Sequence, residues 1–212
     1  KIKLKLKQDS PDVDLLYIRD TRPNDLALIL EVALENKNNY LGRSGFIDIL
    51  LKKENFKKLF KFHNWEEDTK KRAINREFWF RPAIHMGFID GDYKITTLGE
   101  YFLKLKDQKN DKKFILFFAY RLLNSPGVDD LLEAIKDTQK DMVKNNIFSK
   151  QLFKKELIDH IIFMHPQLET VADRYYQSIL NWLKTLDIFK WEKKKGAIIN
   201  NQLINDLNEE FN

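Results

Sequence analysis

Five polar residues, Asp173, Arg174, Gln177, Ser178 and Asn181, recur at a spacing that lines them along one side of a helix. Their types are those that read base edges. The arginine fork pairs with guanine, glutamine and asparagine amides pair with adenine, and serine serves either. The same period sends Ala172, Tyr176, Ile179, Leu183 and Leu186 to the other side as an apolar stripe. Every surface helix shows something polar, so a plain solvent face is the competing reading. The residues after the helix favour recognition chemistry: a strand from Ile188, a basic turn at Lys193-Lys194-Lys195-Gly196, and a return strand Ala197 to Ile199. Lys190 and Lys193 to Lys195 suit phosphate, which is gripped whatever the base sequence.

A stretch nearer the N-terminus has the same plan. In FWFRPAIHMGFIDGDYKITTLGEYFL, residues 78–103, an apolar helix closes on Gly87, a two-strand ribbon turns at Asp90-Gly91-Asp92, and another helix comes next. Asn75, Arg76, Trp79 and Arg81 lie on this third helix, with Lys70, Lys71 and Arg72 ahead of them. Lys94 sits on the ribbon, and Arg43 and Ser44 open the second helix. These are the candidate contacts of the first unit. Asp90 and Asp92 repel phosphate, so that unit is expected to read through its helix, leaving the basic turn at Lys193 to Lys195 as the better clamp. Trp79 and Trp65 can stack on sugar or base, although packing between helices is the commoner fate of a large aromatic.

Other chemistry finds little footing. His63, His85, His160 and His165 lack the spacing and companion ligands of a zinc site, and seven scattered glycines make no phosphate loop. A carboxylate followed by Glu-x-Lys, which would hold Mg²⁺ and orient a water, can be written twice: Pro11-Asp12 with Glu35-Asn36-Lys37, and Glu192-Lys193-Lys194. Glu35 is expected at a helix end and Glu192 on a wing, and such tripeptides arise by chance in a chain rich in Lys and Glu. No catalytic residue and no resident cofactor is therefore assigned.

Composition limits the rest. The 212 residues are 43% hydrophobic, enough for a real core, and no apolar run approaches the roughly 18 residues that span a bilayer. Cysteine is absent, which excludes disulfides and fits a reducing cytoplasm. A net charge of +5 favours a polyanionic partner mildly. The opening KIKLKLK alternates like an edge strand, and the missing initiator methionine suggests a piece of something longer.

The elements that must position these residues emerge from periodicity. Asn24 is expected to cap a helix bearing Leu26, Ile29, Leu30, Ala33 and Leu34, ended by Asn36 to Asn39. Ser44 is expected to cap the next, through Phe46, Ile47, Leu50 and Leu51. Pro82 should kink the third helix or open its regular part. A helix Thr97 to Lys106 closes the first unit, and Asp111 to Leu123 forms an aromatic connector. Ser125-Pro126-Gly127 marks a boundary, followed by helices Val128 to Asn145, Ser149 to Met164 and Glu169 to Leu186. The expectation is a mainly α fold with small β wings. It comprises an N-terminal strand or arm at 1–22, a winged helix-turn-helix at 23–108, a helical connector at 109–125 and a second winged helix at 126–212.

Here the sequence resembles a known family. Phe80-Arg81-Pro82-Ala83-Ile84-His85-Met86-Gly87-Phe88-Ile89, then a hairpin and Ile95-Thr96-Thr97-Leu98-Gly99, looks like the first winged helix of the Fok-type type IIS restriction endonucleases. The segment 111–132 resembles that family's linking helix and turn. Asp173-Arg174-Tyr175 with Trp182-Leu183-Lys184 is similar to the stretch entering its second wing. The likeness spans roughly residues 75–200 in order, and TRPNDLALILEVAL is reminiscent of Alw-type and nicking enzymes. It implies site-specific recognition of double-stranded DNA in a prokaryotic cytoplasm. It also implies a separate nuclease domain or subunit that supplies Mg²⁺-dependent cleavage. A plasmid replication initiator or transcription regulator, and a winged-helix protein-interaction module, remain the alternatives.

Overall fold

The computed structural model describes residues 18, 22–39, 41–54, 80–108 and 111–212. Among these, nine helices and one two-stranded antiparallel sheet make up the fold, so the chain is mainly α with a small β hairpin. Helix α1 (Pro23–Glu35) starts ahead of the expected Asn24 cap. Pro23 takes the first helical position, where a missing N–H costs nothing, and the Asp25 carboxylate accepts the Arg22 N–H at 3.0 Å. Helix α2 (Gly42–Lys52) also starts early: Leu41 holds the cap position, and Ser44 lies exposed within the first turn. Helix α3 (Phe80–His85) contains Pro82. Lys70, Lys71, Arg72, Asn75, Arg76 and Trp79 lie outside the described residues, as does the N-terminal arm apart from Ile18 and Arg22.

Helices α4 (Thr97–Asp107) and α5 (Asp111–Leu123) are next. Then come α6 (Val128–Asn145), α7 (Lys150–Met164), a 3-10 turn (Pro166–Leu168) and α8 (Ala172–Thr185). Strands β1 (Phe189–Glu192) and β2 (Gly196–Ile199) lead into α9 (Asn201–Phe211). The helix expected from Glu169 is thus shorter, starting at Ala172 with the 3-10 turn ahead of it.

Two stretches of chain are built alike. Helix α3 ends on Gly87 at φ 75, with the Phe88 N–H bonded to the Ala83 carbonyl and the Gly87 N–H to that of Ile84. Helix α8 ends on Asp187 at φ 57, with Ile188 bonded to Leu183 and Asp187 to Lys184 in the same pattern. Each left-handed residue turns the chain into an apolar pair, Phe88-Ile89 or Ile188-Phe189. Each hairpin then closes similarly: the Thr96 N–H reaches the Phe88 carbonyl at 3.0 Å, and the Asn200 N–H reaches that of Ile188 at 2.8 Å. Thr96 Oγ1 and Asn200 Oδ1 then accept a backbone N–H of the next helix, from Gly99 and Leu203 respectively.

The hairpins themselves differ. The ribbon expected after Gly87 reduces to a single bridge between Ile89 and Ile95. Asp90 Oδ1 accepts the N–H groups of both Asp92 and Lys94 at 2.9 Å, folding the turn too tightly for a longer ladder. The second hairpin pairs Phe189 to Glu192 against Ile199 to Gly196. Gln139 of α6 anchors it, its amide donating to the Lys195 carbonyl at 2.6 Å and accepting the Ala197 N–H at 2.7 Å.

The helix expected as a connector is α5, and it is buried along its aromatic side. Phe114, Phe117 and Phe118 of α5 are buried, and Phe117 packs on Phe88, Tyr101 and Phe102. Phe118 meets Trp182 of α8 with centroids 5.0 Å apart. Helix α9, not anticipated from the sequence, returns to α5 through Phe211 on Phe117 and Tyr120, and through a Lys113–Glu210 ion pair. One cluster of buried apolar residues runs from Ile18 to Leu207.

Candidate nucleic-acid interface

Helix α8 buries Ala172, Tyr175, Tyr176, Ile179, Leu180 and Leu183 against α7, α5 and the hairpin. Arg174, Gln177, Asn181 and Lys184 are left exposed at steps of three and four, which is one line along the helix. Arg174 and the Asn181 side chain have no hydrogen-bond or ion-pair partner among the described residues. Gln177 is oriented by Asp173, to whose carboxylate its amide donates at 3.1 Å. Asp173 is in turn neutralised by Lys154 of α7 at 2.9 Å. The surface is therefore polar, partly pre-oriented and relieved of its one acidic charge.

Ser178 does not belong to it. The side chain is 9% exposed, and its hydroxyl donates to the Tyr175 carbonyl at 2.9 Å. The apolar arc of α8 is wider than one stripe because the helix packs on two sides. Tyr175 and Ser178 fall within it.

Three lysines absent from the expected set, Lys150, Lys154 and Lys184, complete a basic rim. Besides pairing with Asp173, Lys154 lies 5.8 Å from the Tyr176 ring centroid, and Lys184 lies 5.7 Å from that of Phe189. Burial, and then the charge of Lys150, pushes the Lys184 ammonium down from its ordinary value. The signal for them in the sequence is the pairing of Lys150 with Lys154, one turn apart at the start of α7.

At the hairpin, Lys190 and Lys195 are both engaged by Glu192, at 2.7 and 3.2 Å. These contacts hold the Glu192 carboxyl below the usual carboxylate range, Lys190 first. Lys193 and Lys194, at the tip, are exposed without a partner among the described residues. The basic turn is thus two available cations beside two that are paired.

In the first unit, α2, α3 and the Asp90 turn are held by an aromatic trio. The Phe46 and Phe80 centroids are 5.4 Å apart, Phe80 and Tyr93 5.4 Å, and Phe46 and Tyr93 6.0 Å. Arg43 and Ser44 are exposed at the start of α2, Arg81 is half-buried on α3, and Lys94 is exposed on the turn. Arg121, also absent from the expected set, crosses from α5 to donate from Nε to the Met86 carbonyl at 2.8 Å, satisfying the C-terminal end of α3.

The two carboxylate motifs are engaged elsewhere. Glu35 ends α1 and is bound by Lys53 at 2.6 Å, Glu192 serves the hairpin, and Asp12 lies outside the described residues. Among the described residues, no group of three or more His, Asp or Glu is placed to hold a metal ion. No helix there is long and apolar enough to cross a membrane. No family model matches the chain, and no curated protein or solved structure does either.

Proposed function

We propose that the chain recognises a specific site in duplex DNA through two winged helix-turn-helix units, as the target-recognition part of a type IIS-like restriction endonuclease. One observation carries this reading. Helices α3 and α8 end in the same backbone motif, feed a hairpin from an apolar pair, and are followed by a side-chain-capped helix. That is the order of a recognition helix and its wing. The exposed line Arg174, Gln177, Asn181 supplies base-reading groups, while Lys150, Lys184, Lys193 and Lys194 supply phosphate contacts around it. In the first unit Arg81 and Lys94 take those parts, with Arg43 and Ser44 from α2. Cleavage and its Mg²⁺ belong to a separate domain or subunit.

Selection of bound sequences from a random duplex pool, followed by incubation with Mg²⁺, tests the reading. An asymmetric site without cleavage is expected. A palindrome or direct repeat would instead point to a replication initiator or transcription regulator. The absence of any salt-dependent duplex affinity would make the units a protein-binding module.

A further inference from the structure

Helices α6 and α7 border an open, shallow groove of about 440 Å³ lined by Thr138, Asp141, Glu156, Asp159, His160 and Phe163. It lies away from the candidate interface. Lys154 faces α8, and the helical period puts Glu156, Asp159 and Phe163 on the opposite side of α7. Asp141, Glu156 and Asp159 have no hydrogen-bond or ion-pair partner among the described residues, and the nearby Lys140 is taken by Asp137 at 2.8 Å. Thr138 is 1% exposed, and its hydroxyl is an orphan with no hydrogen bond, though it lines the groove. A buried hydroxyl without a partner is costly, and a side-chain rotation that turned it to the groove would let an entering donor satisfy it. At the rim stands Phe163, 82% exposed, the most exposed of the large apolar side chains among the described residues.

We infer that this groove is a docking site for a partner polypeptide that presents a lysine or arginine beside an apolar side chain. The cation enters among the three carboxylates and donates to Thr138 Oγ1, while the apolar neighbour covers Phe163. Charge complementarity selects this occupant. The chain carries a net charge of +5 overall, so a cationic segment is repelled by the molecule at large and attracted only where carboxylates gather. Duplex DNA is excluded from the groove by the same carboxylates.

A labelled amphipathic lysine–leucine peptide, titrated into the full chain and followed by fluorescence anisotropy, tests the inference, with a glutamate–leucine peptide as control. The cationic peptide should bind in a salt-sensitive way and the control should not. Joint D141K and D159K substitution should weaken binding at least about tenfold, as should Phe163→Ser, with the thermal unfolding midpoints of both variants close to that of the parent. Joint K193E and K194E substitution on the hairpin should not weaken peptide binding. Absence of peptide binding, equal binding of both peptides, or undiminished binding by the D141K/D159K chain would overturn it. So would sedimentation showing that the groove is occupied by a second copy of this chain in place of the peptide.

Discussion

Arg174 and Ser178 are one turn apart on α8 and are equal candidates by type and spacing, yet their surroundings separate them. Arg174 is exposed with five donors uncommitted, whereas the Ser178 hydroxyl is already spent on the Tyr175 carbonyl. Arg174→Ala is therefore expected to cost about 1–3 kcal/mol of duplex affinity and to relax preference at one base position. Ser178→Ala should leave both unchanged, and selection of bound sequences with each variant would read the contrast. An Arg174→Ala chain with the parent's affinity and preference would remove Arg174 from the interface. The hairpin lysines divide on the same principle. Lys194→Ala should lower the slope of log affinity against log salt by about 0.9, the share of one phosphate contact, without altering base preference. Glu192→Gln should act in reverse, because it releases Lys190 and Lys195 from a carboxylate that now holds both. Steeper salt dependence and tighter binding are expected, measured by duplex titration at several salt concentrations.

At the scale of elements, the hairpin depends on a glycine for two separate reasons. Gly196 has φ 80, and a Cβ there would overlap the Gln139 amide that ties the hairpin to α6 through two hydrogen bonds. Gly42 has a similar φ of 59 with open space around it, and so isolates the backbone term. Gly42→Ala should cost about 1–2 kcal/mol for the left-handed conformation alone, and Gly196→Ala about 2–4 kcal/mol because the Gln139 bonds are lost as well. Chemical denaturation of the two variants would show the difference, and equal costs would refute the role given to Gln139. Periodicity, glycine and turn chemistry make most of these elements legible. The α3 stop at Gly87, the α5 span from Asp111 to Leu123 and the basic turn before Gly196 all stand in the structure where the sequence pattern puts them. What the sequence could not show depends on contacts between distant residues. Asn24 and Ser44 have good capping chemistry, but Pro23 opens α1 ahead of Asn24, and Leu41 holds the cap position of α2 with Ser44 inside its first turn. Ser178 is polar, but α8 is covered on two sides. Lys190 is the exception: it lies two residues from Glu192 on one strand face, so their pairing is a local signal that the alternation already carries.

Over the whole molecule, helix α5 lies between the two proposed units and governs how they behave together. A connector of exposed residues would let each unit unfold alone. Instead α5 places Phe117 against Phe88 and Phe102 of the first unit and Phe118 against Trp182 of the second, and α9 closes over it with Phe211. Arg121 from the same helix caps α3. Neither unit can lose its packing on α5 without exposing apolar surface that the other also uses, so the transitions should be coupled. Calorimetry is expected to show a single unfolding transition whose calorimetric and van't Hoff enthalpies agree. Phe118 is fully buried, so Phe118→Ala should lower stability by about 3–5 kcal/mol from lost transfer energy and the cavity left behind. The decisive feature is the form of the loss. If α5 is a shared core, the variant's single transition moves down intact, whereas two resolved transitions, with only one displaced, would mean that the units are stable separately and that α5 merely links them.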